Sequence, residues 1–169
     1  LFGFKKDGVT EFLAKKNKIK DLFIMLIHNK KLSVTPLTTH QPLKDVSSKI
    51  NSKLIKNKIF VIDKFYKQVF KKRPIIAVLG LNPHNAELRN NSEESKIIIP
   101  TLKLLRKKNR NILGPFPADT IFSIRKKIKY DVILGMYHDQ VLAPFKAIYN
   151  FDAINITLGL KYLRASPDH

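Results

Sequence analysis

A chain of 169 residues with 44% hydrophobic content and ordinary glycine and proline usage is long enough to bury a core and too apolar to stay disordered. Its 32 basic against 13 acidic residues give a formal charge of +19, which raises nucleic acid or an anionic membrane surface as a partner. The lysines are scattered, as in Lys15-Lys16-Asn17-Lys18 and Lys126-Lys127 after Arg125, with no aromatic residues between them, so solvated helix faces are the better reading and no nucleic-acid partner is expected.

Cysteine is absent, which excludes disulfides and thiolate metal sites. The longest apolar run, 22–27, ends at His28, Asn29 and two lysines, far short of the roughly 18 residues that cross a bilayer. A cytoplasmic protein with no membrane partner is expected. The chain starts at Leu1 without a signal-peptide pattern and ends on His169 without a stop signal, so it reads as an excerpt of a longer chain, with no internal domain boundary.

Taken in order, 11–29 places Phe12, Leu13, Ile19, Leu22, Phe23, Leu26 and Ile27 at an approximate 3.6-residue period and predicts an amphipathic helix after Thr10. Residues 31–37 predict a strand ending at Thr38-Thr39-His40, with Pro42 opening a helix over 43–54. Helical spacing resumes over 59–70. The apolar run 75–81 predicts a strand that stops at Asn82-Pro83-His84, and Ser92-Glu93-Glu94-Ser95 predicts the start of a helix over 97–107. A short strand over 111–113 precedes Gly114-Pro115-Phe116-Pro117, which predicts a rigid turn before a helix from Ala118 or Asp119 to Lys127. Branched residues over 132–136 predict a buried strand that runs into His138, Asp139 and Gln140, and 151–158 predicts another. Strands alternating with helices predict an α/β fold in three α/β/α layers around a mixed, largely parallel sheet.

His40, His84 and His138 each follow a predicted strand within a few residues. In open α/β sheets the ligand crevice lies beyond the carboxyl ends of the strands, so the three imidazoles are candidates for one metal site with positions left open for substrate. No local metal motif supports this, and a histidine in a turn is also a common hydrogen-bonded surface residue. His28, among lysines near the end of the first predicted helix, reads as a partly cationic ring suited to the helix dipole. Asp139 reads either as a proton acceptor, as a partner orienting an imidazole, or as a first-turn carboxylate. Lys146, Asn155 and Arg164 could hold a phosphate or carboxylate, Arg164 through its bidentate fork.

Four ordered segments, Thr38-Thr39-His40-Gln41-Pro42-Leu43, Gly80-Leu81-Asn82-Pro83-His84-Asn85-Ala86-Glu87, Gly114-Pro115-Phe116-Pro117-Ala118-Asp119-Thr120 and Tyr137-His138-Asp139-Gln140, resemble the motifs of the 4-hydroxythreonine-4-phosphate dehydrogenase family. The closing residues Asn155 to Leu158 and Arg164-Ala165-Ser166-Pro167-Asp168-His169 resemble it too. The resemblance implies a fold like that of isocitrate and isopropylmalate dehydrogenases, a cytoplasmic homodimer, and a chain of which residues 1–169 are the incomplete middle to C-terminal part. It implies the NAD- or NADP-dependent oxidation and decarboxylation of 4-phosphooxy-L-threonine to 3-amino-2-oxopropyl phosphate in vitamin B6 biosynthesis. Carried over by residue, it implies a divalent ion (zinc, magnesium or cobalt) on His40, His84 and His138 at the subunit interface, and substrate contacts from Thr10, Lys146, Asn155 and Arg164. Asp139 or Lys146 is then the expected proton-transfer group and Asp119 an orienting carboxylate.

The family's usual Gly-His-Thr-Glu stands here as Gly8-Val9-Thr10-Glu11, and its Ala-Gly-Glu after the second histidine as Asn85-Ala86-Glu87. No Gly-x-Gly-x-x-Gly fingerprint of a Rossmann site occurs. Two other readings remain at this stage, a three-histidine zinc hydrolase and a basic nucleic-acid-binding module.

Overall fold

The computed structural model describes residues 22–108 and 111–168. Its strands join one mixed sheet in the order β4-β3-β5-β2-β1-β6-β7. They are β1 (Ile24–His28), β2 (Ser33–Pro36), β3 (Ile76–Leu79), β4 (Ile112–Phe116), β5 (Val132–Gly135), β6 (Ile154–Leu158) and β7 (Arg164–Pro167). β4, β3, β5 and β2 run parallel, whereas β1, β6 and β7 pair antiparallel with their neighbours. The parallel block thus fills one half of the sheet.

Alternation along the strands sends side chains to two cores. Ile24, Leu26, Ile76, Val78, Val132 and Leu134 pack on one face against α1 (Leu43–Lys49), α2 (Ser52–Val69) and α3 (Ile99–Lys108). Met25, Ile27, Val34, Ala77, Leu79 and Ile133 pack on the other against α5 (His138–Tyr149), whose Val141, Leu142 and Phe145 line the buried side, and against Ile121 of the short α4 (Ala118–Ile121). The expected three α/β/α layers are present.

α2 follows from its spacing. Ile55, Ile59, Ile62 and Tyr66 recur at intervals of three or four and form one buried stripe, worth about 1.5–3 kcal/mol per fully buried aliphatic side chain. Asn51 caps it by accepting from the Leu54 N–H at 2.9 Å.

Several expectations are corrected. Residues 24–28, predicted as the end of a helix, form β1, because Ile24, Met25, Leu26 and Ile27 are buried alternately on both faces of the sheet. The rest of that predicted helix lies outside the described residues. The helix predicted over 43–54 breaks at Ile50, which is extended (φ −70°, ψ 121°), and the Asn51 cap starts α2 afresh. Gly114-Pro115-Phe116 belongs to β4 and is not a turn: Phe116 pairs with Leu79 beyond a register shift, and the Gly114-Pro115 bond is cis. The helix predicted over 118–127 shrinks to α4 and a 3-10 turn, Ser123–Lys126. Beyond residue 158, where no element is predicted, Arg164–Pro167 forms β7, held by pairing with β6.

Candidate active site

The carboxyl ends of β2, β3, β4 and β5 share one edge of the sheet. Each leads into a candidate side chain: β2 to His40, β3 to His84, β4 to Asp119 and β5 to His138. At this edge the parallel ladder places the expected residues where a ligand crevice belongs.

His40 and His138 come together, their ring centroids 6.1 Å apart. The Nδ1 of His138 donates to Asp139 Oδ1 at 2.6 Å, which leaves the Nε2 lone pair available to a ligand. An imidazole oriented by a carboxylate, with a second imidazole beside it, is a donor set that suits a divalent ion. His84 stands apart from this pair, in a cleft of about 210 Å³ lined by Leu81, Asn82, Asp119, Tyr137 and Gln140. Among the described residues no three histidine, aspartate or glutamate side chains converge as a metal-holding group. Within one chain the histidines therefore form a pair and a single, and Asp119 accompanies the single.

The backbone beneath His84 is unusual. Residues 84–87 hold φ of 50–55° with ψ of 26–38°, and Leu88 continues at φ 58°, so a left-handed helical turn is built without glycine. For L-residues each such position is disfavoured by roughly 1–2 kcal/mol. Buried groups hold the turn in place. Asn85 donates from Nδ2 to the Pro115 carbonyl at 3.2 Å, and Glu94 accepts from the N–H groups of Leu81 and Asn82, both at 2.8 Å. Burial works to raise the Glu94 pKa, but the hydrogen bonds from Asn82 and Leu81 outweigh it and the net shift is downward. Its neighbour Glu93 is also held low, chiefly by the hydroxyl of Ser47 in α1 and further by the Asn82 side chain.

The expected substrate contacts lie elsewhere. Lys146 is eight residues into α5, about 12 Å along the helix from His138. There it pairs with Asp168 at 3.5 Å, and its ammonium sits 4.9 Å from the Phe151 ring centroid. Asn155, near the start of β6, pairs with Ser166, and its Oδ1 is buried without a hydrogen-bond partner among the described residues. Arg164 opens β7 and donates to Thr157 Oγ1 at 3.2 Å. Thr10 lies outside the described residues. One chain thus separates the histidine edge from Lys146 and Asn155, which lie toward the other end of the sheet.

His28 is corrected as well. It ends β1, where its Nδ1 meets Ser33 Oγ at 2.7 Å and its ring packs 5.3 Å from that of Phe70. Burial lowers its pKa, so the ring is held neutral and no helix dipole is involved. Ser33 Oγ meets the Tyr66 hydroxyl at 2.7 Å, and Tyr66 is raised to about 12, mainly by burial.

A larger cavity of about 840 Å³ lies at the opposite edge, lined by Lys31, Lys72, Arg73, Lys129, Asp131 and neighbours. It contains no histidine, and its Asp131 is committed to Lys72 at 2.6 Å and to the Ile75 N–H at 2.8 Å. The cleft at the carboxyl ends is smaller, but His84, Asn82, Asp119 and Gln140 line it, which makes it the candidate site.

The family model described as pyridoxal phosphate biosynthetic protein PdxA matches residues 1–169. The chain belongs to that family. It is 43% identical over 168 residues to a 4-hydroxythreonine-4-phosphate dehydrogenase of Aquifex aeolicus, covering 99% of this chain and 52% of the relative. It is 42% identical over 172 residues to the enzyme of the same name from Bradyrhizobium diazoefficiens, covering 99% of this chain and 50% of the relative. The structure of the Klebsiella pneumoniae 4-hydroxythreonine-4-phosphate dehydrogenase superposes with a TM-score of 0.84 at 37% identity, over 99% of this chain and 51% of that one. A terephthalate 1,2-cis-dihydrodiol dehydrogenase from Burkholderia xenovorans shares the fold, with a TM-score of 0.76 at 20% identity. The chain spans about half the length of the curated PdxA relatives it matches.

Within this PdxA-family chain, the sequence singled out the histidines as candidates and assigned nothing to Glu94, Gln140 or Asp168. Glu94 showed only the signature of a helix start, and it stands instead at the head of a π-helical turn, Glu94–Ile98, that leads into α3. Gln140 and Asp168 carried no signal beyond their neighbours in the motifs.

Proposed function

We propose that this chain contributes the metal and substrate groups of an NAD- or NADP-dependent 4-hydroxythreonine-4-phosphate dehydrogenase, acting on 4-phosphooxy-L-threonine and releasing CO2 and 3-amino-2-oxopropyl phosphate. The observation that carries this reading is the family match along the whole chain, together with three histidines delivered to one sheet edge by three parallel strands.

In this reading His40 and His138 hold a divalent ion, and His84 reaches such a site from the second copy of a homodimer. Such an ion would supply Lewis acidity to the substrate hydroxyl and to the carbonyl that replaces it, and NAD or NADP would supply the hydride acceptor. Asp139 fixes the tautomer of His138 through Nδ1, which gives it the orienting role, although it remains a candidate acceptor for the hydroxyl proton. Lys146, Asn155 and Arg164 offer a cation, an amide and a guanidinium to the phosphate and carboxylate of the substrate. Lys146 is the alternative proton-transfer group, and Asp119, exposed beside His84, is an orienting carboxylate at the cleft.

The separation of the histidine edge from Lys146 and Asn155 within one chain supports a site completed between two copies. The test is NADH formation from 4-phosphooxy-L-threonine in the presence of cobalt(II), measured for the chain and for His138→Ala. Turnover that disappears in His138→Ala is expected. Turnover unchanged in that variant would overturn the reading.

A further inference from the structure

Two buried side chains without an assigned role hold neighbouring backbone groups directly beneath the histidine edge. Gln140, 8% exposed in the first turn of α5, accepts at Oε1 from the Met136 N–H at 2.6 Å and donates from Nε2 to the Gly80 carbonyl at 2.8 Å. One amide therefore spans the ends of β5 and β3. Glu94, 0% exposed, continues from the next residue: its Oε1 takes the N–H groups of Leu81 and Asn82, and its Oε2 accepts from Asn82 Nδ2 at 3.0 Å.

The packing leaves no slack around these bonds. A Cβ on Gly80 would stand 2.1 Å from Asn85 Oδ1 and 3.1 Å from Glu94 Oε1. On Gly135 it would stand 2.5 Å from Val141 Cγ1 and 3.0 Å from Gln140 Oε1. Both strands shed their side chains where the polar groups need the room.

We infer that Gln140 and Glu94 are positioning residues that hold the turns carrying His84 and His138 in place by fixing Gly80, Leu81, Asn82 and Met136. The inference rests on the reading of these histidines as metal ligands. The turn carrying His84 has positive φ throughout, so a backbone released from the two side chains relaxes away from the left-handed region and takes the imidazole with it. Both residues act through backbone groups, Gln140 on the carbonyl before the turn and Glu94 on the amides that lead into it.

The experiment titrates cobalt(II) into the chain and its variants and follows amide exchange without metal. Gln140→Met, which keeps the volume and loses both hydrogen bonds, is expected to weaken cobalt binding about 10- to 100-fold. Glu94→Ala is expected to do the same. Glu94→Gln, which retains an acceptor for the Leu81 and Asn82 amides, is expected to recover most of the loss. Ile55→Ala lowers stability from the buried face of α2 and is expected to leave cobalt affinity within about twofold. The Met136 amide should exchange faster in Gln140→Met, and the Leu81 and Asn82 amides faster in Glu94→Ala, with Ile76 unchanged in both.

Wild-type cobalt affinity and exchange in both Gln140→Met and Glu94→Ala would overturn the inference. If Gln140→Met does not fold, the Glu94 pair decides by the same criteria. Undiminished cobalt binding by His138→Ala would instead overturn the metal reading, and the exchange rates alone would then decide whether the two side chains fix the edge.

Discussion

Lys146 and Asp168 meet at 3.5 Å where the end of α5 passes the end of β7, with the aspartate side chain only 5% exposed. A carboxylate so deeply placed depends on its cation. Lys146→Met is expected to destabilise the chain by about 1–3 kcal/mol, because it leaves that charge buried without this partner. Urea melts check this, and the double variant Lys146→Met with Asp168→Asn should recover part of the loss, the sign of direct coupling between the two.

The acid limb of stability should report Glu94. Its folded pKa lies below the usual 4.5, so its contribution is fully present above that pH and is lost as the pH falls through the lower, folded value. Urea melts from pH 6 downward should therefore show wild type losing stability below about pH 4.5 more steeply than Glu94→Gln. Parallel profiles would remove Glu94 from the acid transition.

His28 gives a second window with the same direction and a different origin. Its folded pKa is lowered from 6.5, so above that value both states are neutral and stability is complete. As the pH falls below 6.5 the unfolded chain takes up the proton first and stability declines. His28→Gln should flatten the profile just below pH 6.5 and leave the Glu94 limb in place.

Ala86 stands where the resembling family usually has glycine, and its φ of 51° is one that glycine adopts without cost. Ala86→Gly, which would destabilise an ordinary helix, is expected to raise stability here by a few tenths to about 1 kcal/mol. Thermal melts measure it directly. A loss of about 1 kcal/mol, as in a right-handed helix, would mean that the strain lies elsewhere.

The strands that carry the histidines were legible because β2, β3 and β5 are short branched runs ending in polar residues, and buried parallel strands have that pattern. β1 was not, since its buried run Ile24–Ile27 continues an apparent helical spacing and only pairing with β2 and β6 makes it a strand. β4 was cut short because Gly114 and Pro115 are turn formers, yet β3 pairs with the residues on both sides of them. β7 has no apolar pattern at all and exists through its pairing with β6. At the site, residue types were readable and distances were not. Nothing local says that His40 and His138 meet while His84 stays apart, or that Glu94 turns back onto residues 12 and 13 positions earlier.

The left-handed turn under His84 has a consequence for where this conformation is stored. A peptide covering it contains no glycine and would take the ordinary right-handed or extended basins, since no local preference favours φ near 50° for Ala86, Glu87 or Leu88. The conformation is therefore a property of the assembled sheet and is inherited from side chains distant in sequence. His84 keeps its place only while the end of β4 and the π-helical turn at Glu94 remain docked beside β3, so local opening of either would erase that part of the edge before the core itself is lost.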